Sequence, residues 1–284
     1  MPKVFRKIFL DPLEFLPLFL VYVLFWVLPV KISSFLGGFL ARRICPFLPT
    51  HQVGVKNIQK VFPKLSPQRR EQILRGAWEN LGRVVGEFPH LKKIARNHTE
   101  IIDRCDLKAR EKDPHAHIFF SAHMANWEIP HLVLTGRGMK IHLLSRPPNN
   151  WVTRLFFKWV RYDPNVSIIL KGPEGSKDFL RTLQTGKNMG ILLDQRLSEG
   201  EKVPFFGRPA YTPVVPARVA YKLGAKMIPV QVERLKGVAF RITYHKPLVL
   251  KQDATTSAQM INQLYEKWIT EHPDQWLWFH NRWK

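Results

Sequence analysis

The chain has 284 residues, 45% of them hydrophobic, enough for a sizeable core in one large domain with a short extra segment, or for two small domains. Its 44 Lys and Arg against 22 Asp and Glu give a formal net charge of +22, which points to nucleic acid, an anionic membrane surface, or an acidic protein or lipid as partner. The 2 cysteines, Cys45 and Cys105, form no CxxC pair, which argues against a disulfide scaffold and a thiolate zinc site and fits a reducing compartment.

Residues 15–30 (FLPLFLVYVLFWVLPV) carry no charge; Lys3, Arg6 and Lys7 precede them, and Lys31, Arg42 and Arg43 follow. At the helical rise, 16 residues reach ~24 Å, short of a ~30 Å hydrocarbon core, and Pro17 and Pro29 shorten the clean helix further. No small-residue cleavage site follows; a second apolar stretch at 33–48, containing Gly37 and Gly38, does. Residues 1–50 are read as a membrane-anchor region, a marginal span or a helix lying in the interface, with Tyr22 and Trp26 at the boundary. A buried helical hairpin of the core is the alternative. Residues 51–284 form the main domain.

Ile73, Leu74, Trp78, Leu81, Val84, Val85 and Phe88 recur mostly at three- and four-residue spacing, predicting a helix over 66–96, with Ser66 and Pro67 as its start signal. Short apolar runs ending in a polar residue predict buried strands at 117–123, 139–145 and 188–194. Helices are expected between them at 126–136, 149–160 and 174–185. A strand near 226–232, β structure over 240–250 and a closing helix over about 256–271 complete the pattern. The alternation implies an α/β fold: a mixed, mostly parallel sheet flanked by helices. Functional residues of such sheets gather at the carboxyl ends of strands, where His123, Arg146 and the pair Asp194–Gln195 fall.

The stretch Ser121-Ala122-His123-Met124-Ala125-Asn126-Trp127-Glu128 places an imidazole and a carboxylate five positions apart. On one helix that spacing rotates by about 500°, so the side chains diverge by roughly 140°. They meet only if the chain breaks: His123 ends a strand, Asn126 caps, and Glu128 sits in the first turn of the next helix. An imidazole held by a carboxylate is a competent general base near neutral pH, and a substrate hydroxyl then attacks without a Ser or Cys nucleophile. A structural His with Glu as a helix-dipole partner is the plainer reading. No HExxH spacing occurs, so no metal site is expected.

His123 to Glu128 also resembles the H-x4-D/E motif of glycerolipid-type acyltransferases. The wider pattern resembles the late (lauroyl/myristoyl) acyltransferases of lipid A biosynthesis. It takes in NIQKVFP (57–63), SAHMANWE (121–128), SRPPNN (145–150), LLDQ (192–195), VPFFGRPAYT (203–212) and the tail HPDQWLWFHNRWK (272–284). The sequence departs from the family at Arg161-Tyr162-Asp163-Pro164, where a Gly is common, at Arg196, and at Asp274 and Asn281. The resemblance implies a glycerolipid-acyltransferase-like fold over 51–284, acyl carrier protein as thioester donor, and a lipid A precursor as acceptor through the 3-hydroxyl of a hydroxyacyl chain. It implies no metal or organic cofactor, and work at the cytoplasmic face of the bacterial inner membrane.

Under that reading His123 is the base and Glu128 orients it. Arg146 stabilises the oxyanion, with backbone N–H groups near 124–126 as rivals. Asn150, Arg154 and Arg161 hold acceptor phosphate or sugar, while Asp194 and Gln195 shape the pocket or bind Arg146. Phe205-Phe206-Gly207 and Trp276, Trp278, Phe279 and Trp283 fit either an acyl groove or ordinary core. Another membrane glycolipid or phospholipid acceptor is the neighbouring alternative. A basic nucleic-acid binder is supported by charge alone; no motif of that kind occurs and the apolar anchor argues against it, so nucleic acid is not an expected partner.

Overall fold

A computed structural model describes residues 10–110 and 113–283; Lys3, Arg6 and Lys7 lie outside them. The apolar runs become the strands. His117–Ser121 (β2) is buried at every position, as a parallel strand covered on both faces must be. Among the described residues the main sheet has seven strands. They are Thr99–Asp103 (β1), β2, Ile141–Ser145 (β3), Val166–Leu170 (β4), Asn188–Leu192 (β5), Lys226–Arg234 (β8) and Phe240–Tyr244 (β9), in the order β1-β9-β8-β2-β5-β3-β4. Every neighbouring pair is parallel except β8 with β9. Glu201–Phe205 (β6) and Arg208–Thr212 (β7) form a separate antiparallel pair.

Among the described residues the helices are Asp11–Val27 (α1), Val30–Ile44 (α2), Pro49–Val61 (α3), Pro67–Glu87 (α4), Leu91–Asn97 (α5), Leu107–Arg110 (α6), Pro130–Thr135 (α7), Trp151–Val160 (α8), Pro173–Gln184 (α9), Val215–Leu223 (α10) and Ala254–Glu271 (α11). One core packs α3, α4, α9, α10 and α11 with the aromatic tail against one face of the sheet, and a second fills the other face beneath α5 and α7.

Three expected elements differ. The helix over 66–96 stops at Glu87, because Pro89 turns the chain through a 3-10 segment before α5. The helix over 126–136 shrinks to α7: residues 126–129 form a turn, and Pro130 occupies the first helical position. The β run over 240–250 ends at Tyr244, three residues before Pro247.

The N-terminal expectation also changes. Among the described residues no helix is long and apolar enough to cross a membrane. Nor is the segment a detached anchor. A Cβ on Gly37 would lie 2.3 Å from the Gly82 carbonyl oxygen, and one on Gly86 2.2 Å from that of Ser33, so α2 lies backbone to backbone on α4. Phe25 and Val30 are buried, whereas Leu13, Leu20, Trp26, Phe35 and Phe47 are exposed.

Candidate active site

The parallel strands β2, β3, β4 and β5 end side by side, so residues far apart in sequence converge on one sheet edge. There a cavity of about 520 Å³ opens. His123, Glu128, Arg146, Arg161 and Gln195 line its polar part, and Phe119, Leu134, Ile141, Leu143, Gly190 and Val230 are among its apolar walls. Among the described residues, no group of three or more His, Cys, Asp or Glu is placed to hold a metal ion.

The carboxylate on the imidazole is Asp194, not Glu128. Asp194 Oδ1 lies 2.7 Å from His123 Nδ1, and its Oδ2 accepts the His123 backbone N–H at 3.0 Å and the Trp276 indole N–H at 2.9 Å. The Asp194 side chain has no exposure, while His123 keeps 17% of its surface open toward the cleft. Burial alone pushes the carboxyl up; the charge and hydrogen bond of His123, the nearby His280 and the Trp276 donor outweigh it and hold Asp194 well below the usual carboxylate range. An ionised carboxylate only accepts, so Nδ1 carries the imidazole proton and Nε2 keeps a lone pair.

The chain does bend after His123, but the bend sends Glu128 elsewhere. Ala125 takes φ +49°, a left-handed conformation costing a residue with a Cβ of order 1–2 kcal/mol. The Asn126 Oδ1 accepts the Glu128 N–H at 3.2 Å, and the His123 and Trp127 rings meet edge to face, their centroids 5.2 Å apart. Glu128 Oε1 receives Arg161 Nη2 at 2.6 Å. The Arg161 guanidinium sits at the C-terminus of α8, over the rings of Phe157 and Phe88 at 4.8 and 5.3 Å.

The other expected site residues divide. Arg146 and Gln195 line the cavity; Asp194 binds His123 and Trp276 instead of Arg146. Asn150 and Arg154 do not line it: Asn150 caps α8 through Thr153 N–H at 3.1 Å and donates to the Asp11 carbonyl at 2.7 Å, and Arg154 is exposed on that helix. Two of the backbone rivals for the oxyanion are engaged, Met124 N–H with the Ala122 carbonyl at 2.7 Å and Ala125 N–H with that of Gln275 at 2.9 Å. Phe205, Trp276 and Trp278 are buried core and line no part of the cleft, whose apolar walls come instead from β2, β3, β5 and α7. The sequence shows an aromatic tail but carries no sign that Trp276 donates to Asp194.

Residues 3–284 match the protein family described as bacterial lipid A biosynthesis acyltransferase. The chain is 26% identical over 303 residues to the lipid A biosynthesis palmitoleoyltransferase of Escherichia coli K12, covering 99% of this chain and 94% of that one. It is 24% identical over 271 residues to the lauroyltransferase of lipid A biosynthesis from the same organism, covering 90% and 87%. Among solved structures, the 1-acyl-sn-glycerophosphate acyltransferase of Thermotoga maritima aligns at 10% identity with a TM-score of 0.38, over 81% of this chain and 98% of that one.

Proposed function

The chain belongs to the bacterial lipid A biosynthesis acyltransferase family and is an acyltransferase, and on that premise we propose that His123 is its general base, held by Asp194, in transfer of a fatty-acyl chain from acyl carrier protein to a hydroxyacyl 3-hydroxyl of a lipid A precursor. The observation that carries the reading is the 2.7 Å contact between His123 Nδ1 and the buried Asp194 at the mouth of an apolar-walled cavity. His123 Nε2 takes the acceptor hydroxyl proton as that oxygen attacks the thioester carbonyl. The tetrahedral intermediate collapses, the C–S bond breaks, and the thiolate receives the proton from His123. Arg146 faces the developing oxyanion, and Glu128 and Arg161 hold the acceptor side of the cleft as an ion pair. The apolar walls take the acyl chain at about 0.8 kcal/mol per CH2.

The net charge of +22 suits an acidic carrier protein and a phosphorylated acceptor. The exposed apolar side chains of α1 and α2 support an interfacial rather than spanning attachment, at the cytoplasmic face of the inner membrane. The rings of Phe15, Phe19 and Tyr22 pack on Phe156, joining α1 to α8, whose Trp151, Leu155 and Trp159 are also exposed, so the apolar surface extends to the helix that carries Arg161.

The test is acyl transfer from acyl carrier protein to a radiolabelled lipid A precursor by the purified protein. His123→Ala is expected to lower turnover by roughly 10²–10⁴-fold in a folded protein. Full turnover by that variant sinks the assignment.

A further inference from the structure

We propose that Glu87 and Arg234 are positioning residues for this reaction: with Asn80 and Asn126 they grip the turn 123–128 from behind and fix how His123 and Glu128 face the cleft. The proposal rests on the acyl-transfer reading above.

None of the four lines the cavity. Glu87 is fully buried at the end of α4, and Arg234, at the end of β8, is nearly so. Arg234 bonds Glu87 through both terminal nitrogens, Nη1 to Oε1 and Nη2 to Oε2, the latter at 3.0 Å. Its remaining Nε–H goes to Asn80 Oδ1 at 2.9 Å, and its guanidinium lies 4.6 Å from the centre of the Phe240 ring.

Several of the cluster's bonds lead to the turn. Glu87 Oε2 accepts Asn126 Nδ2 at 2.8 Å, and the same amide receives the Glu128 N–H. Asn80 Nδ2 donates to the Ala125 carbonyl at 3.0 Å. The Ala125 N–H goes to the Gln275 carbonyl, and the Gln275 side chain is locked to the Arg234 backbone by bonds of 2.8 and 2.9 Å. Both polar groups of the left-handed residue are thus held by this cluster or by the residue it fixes.

A buried ion pair is weak evidence for stability, since well-packed apolar residues often serve as well. What apolar residues lack is the directed bonds that keep Ala125 in a conformation its Cβ disfavours. Glu87 also accepts the Ser34 hydroxyl at 2.7 Å, so one carboxylate touches both the apolar N-terminal helix α2 and the turn that carries His123.

The experiment compares Glu87→Gln, Glu87→Gln with Ala125→Gly, and Asn126→Ala in the full chain, in the acyl-transfer assay. Glu87→Gln is expected to lower kcat 10- to 100-fold with the KM for acyl carrier protein within twofold. Glycine at 125 adopts a positive φ without penalty, so the double variant is expected to regain about tenfold of the lost kcat. Asn126→Ala, which frees the turn but leaves the ion pair in place, is expected to show the same loss in kcat at unchanged KM; it carries the test if Glu87→Gln does not fold. The proposal is overturned if folded Glu87→Gln or Asn126→Ala keeps kcat within threefold of wild type while His123→Ala is inactive, or if glycine at 125 restores nothing. Activity in His123→Ala overturns instead the reading of the cleft on which it rests.

Discussion

Trp276 donates its indole N–H to the same oxygen of Asp194 that receives the His123 backbone N–H, at 2.9 and 3.0 Å. The carboxylate is thereby fixed by two donors on one oxygen, with the other turned to the imidazole. Trp276→Phe keeps most of the buried ring and removes one donor. A hydrogen bond to a buried charge contributes about 1.5–3 kcal/mol, so the melting temperature is expected to fall. Freed to rotate, Asp194 aligns His123 less well, and kcat is expected to drop by roughly tenfold, about 1.4 kcal/mol of barrier. Steady-state kinetics with an unchanged kcat would show that the indole contributes packing alone.

Asp194 and Glu128 make opposite predictions in a comparison of conservative variants. Asp194→Asn presents an amide to Nδ1; its NH2 face favours the tautomer with the proton on Nε2, which leaves no base toward the substrate. Turnover is expected to fall by roughly 10³–10⁴-fold, near the limit for general-base help. Glu128→Gln is expected to leave the pH dependence of the remaining activity unchanged. Its loss should be shared with Arg161: the Glu128→Gln, Arg161→Gln double variant is expected to cost no more than the worse single change, because each mutation already breaks the 2.6 Å pair. Additive losses in that cycle would separate the two residues.

The strand ends of the candidate site are legible in the sequence, and the pairing between them is not. His123, Arg146 and Asp194 each follow an apolar run, and a parallel sheet buries such runs and gathers their ends. Proximity in sequence suggested Glu128 as the partner of His123. The actual partner lies 71 residues away, brought close by β2 pairing with β5, a neighbour relation that no local pattern encodes. Trp276 is hidden for the same reason: the tail folds back to pair with Met124. Asn150 followed a different logic. Its place just before an apolar helix is a capping signal, and capping is what its side chain does.

Gly190 sits on β5 in the wall of the cavity. A Cβ there would lie 2.6 Å from Leu143 Cδ2 and 3.3 Å from Ile141 Cδ1, both tips of side chains that line the same space. Gly190→Val therefore pushes bulk into the apolar walls rather than into backbone. Acyl preference is expected to shift to shorter chains. At about 0.8 kcal/mol per CH2, loss of room for two methylenes changes the ratio of kcat/KM between donors by roughly tenfold. Competition between acyl carrier proteins of two chain lengths measures it, and an unchanged ratio would place the acyl chain elsewhere.

Acid should destabilise the protein from the histidine range downward. Burial pushes His280 below its ordinary value of 6.5, against the pull of Asp194, and its Nδ1 lies 2.8 Å from the Leu277 carbonyl. Its Nε2 is buried with no hydrogen-bond partner among the described residues. Burial also lowers His117, His131, His142 and His245. In each case the unfolded chain binds a proton more readily than the folded one. Their stability contribution is complete above about pH 6.5 and is lost as pH falls toward the folded values, at up to about 1.4 kcal/mol per pH unit for each proton taken up. Asp194, depressed by its bonds, adds a loss of the same sign only at lower pH, below the ordinary carboxylate value of 3.8. Melting temperature is therefore expected to be level between pH 7 and 8 and to decline from pH 6.5 to 5. His280→Asn, which cannot titrate, should flatten that decline even if its melting temperature is lower throughout. A profile of the same steepness in the variant would assign the acid sensitivity to the other histidines.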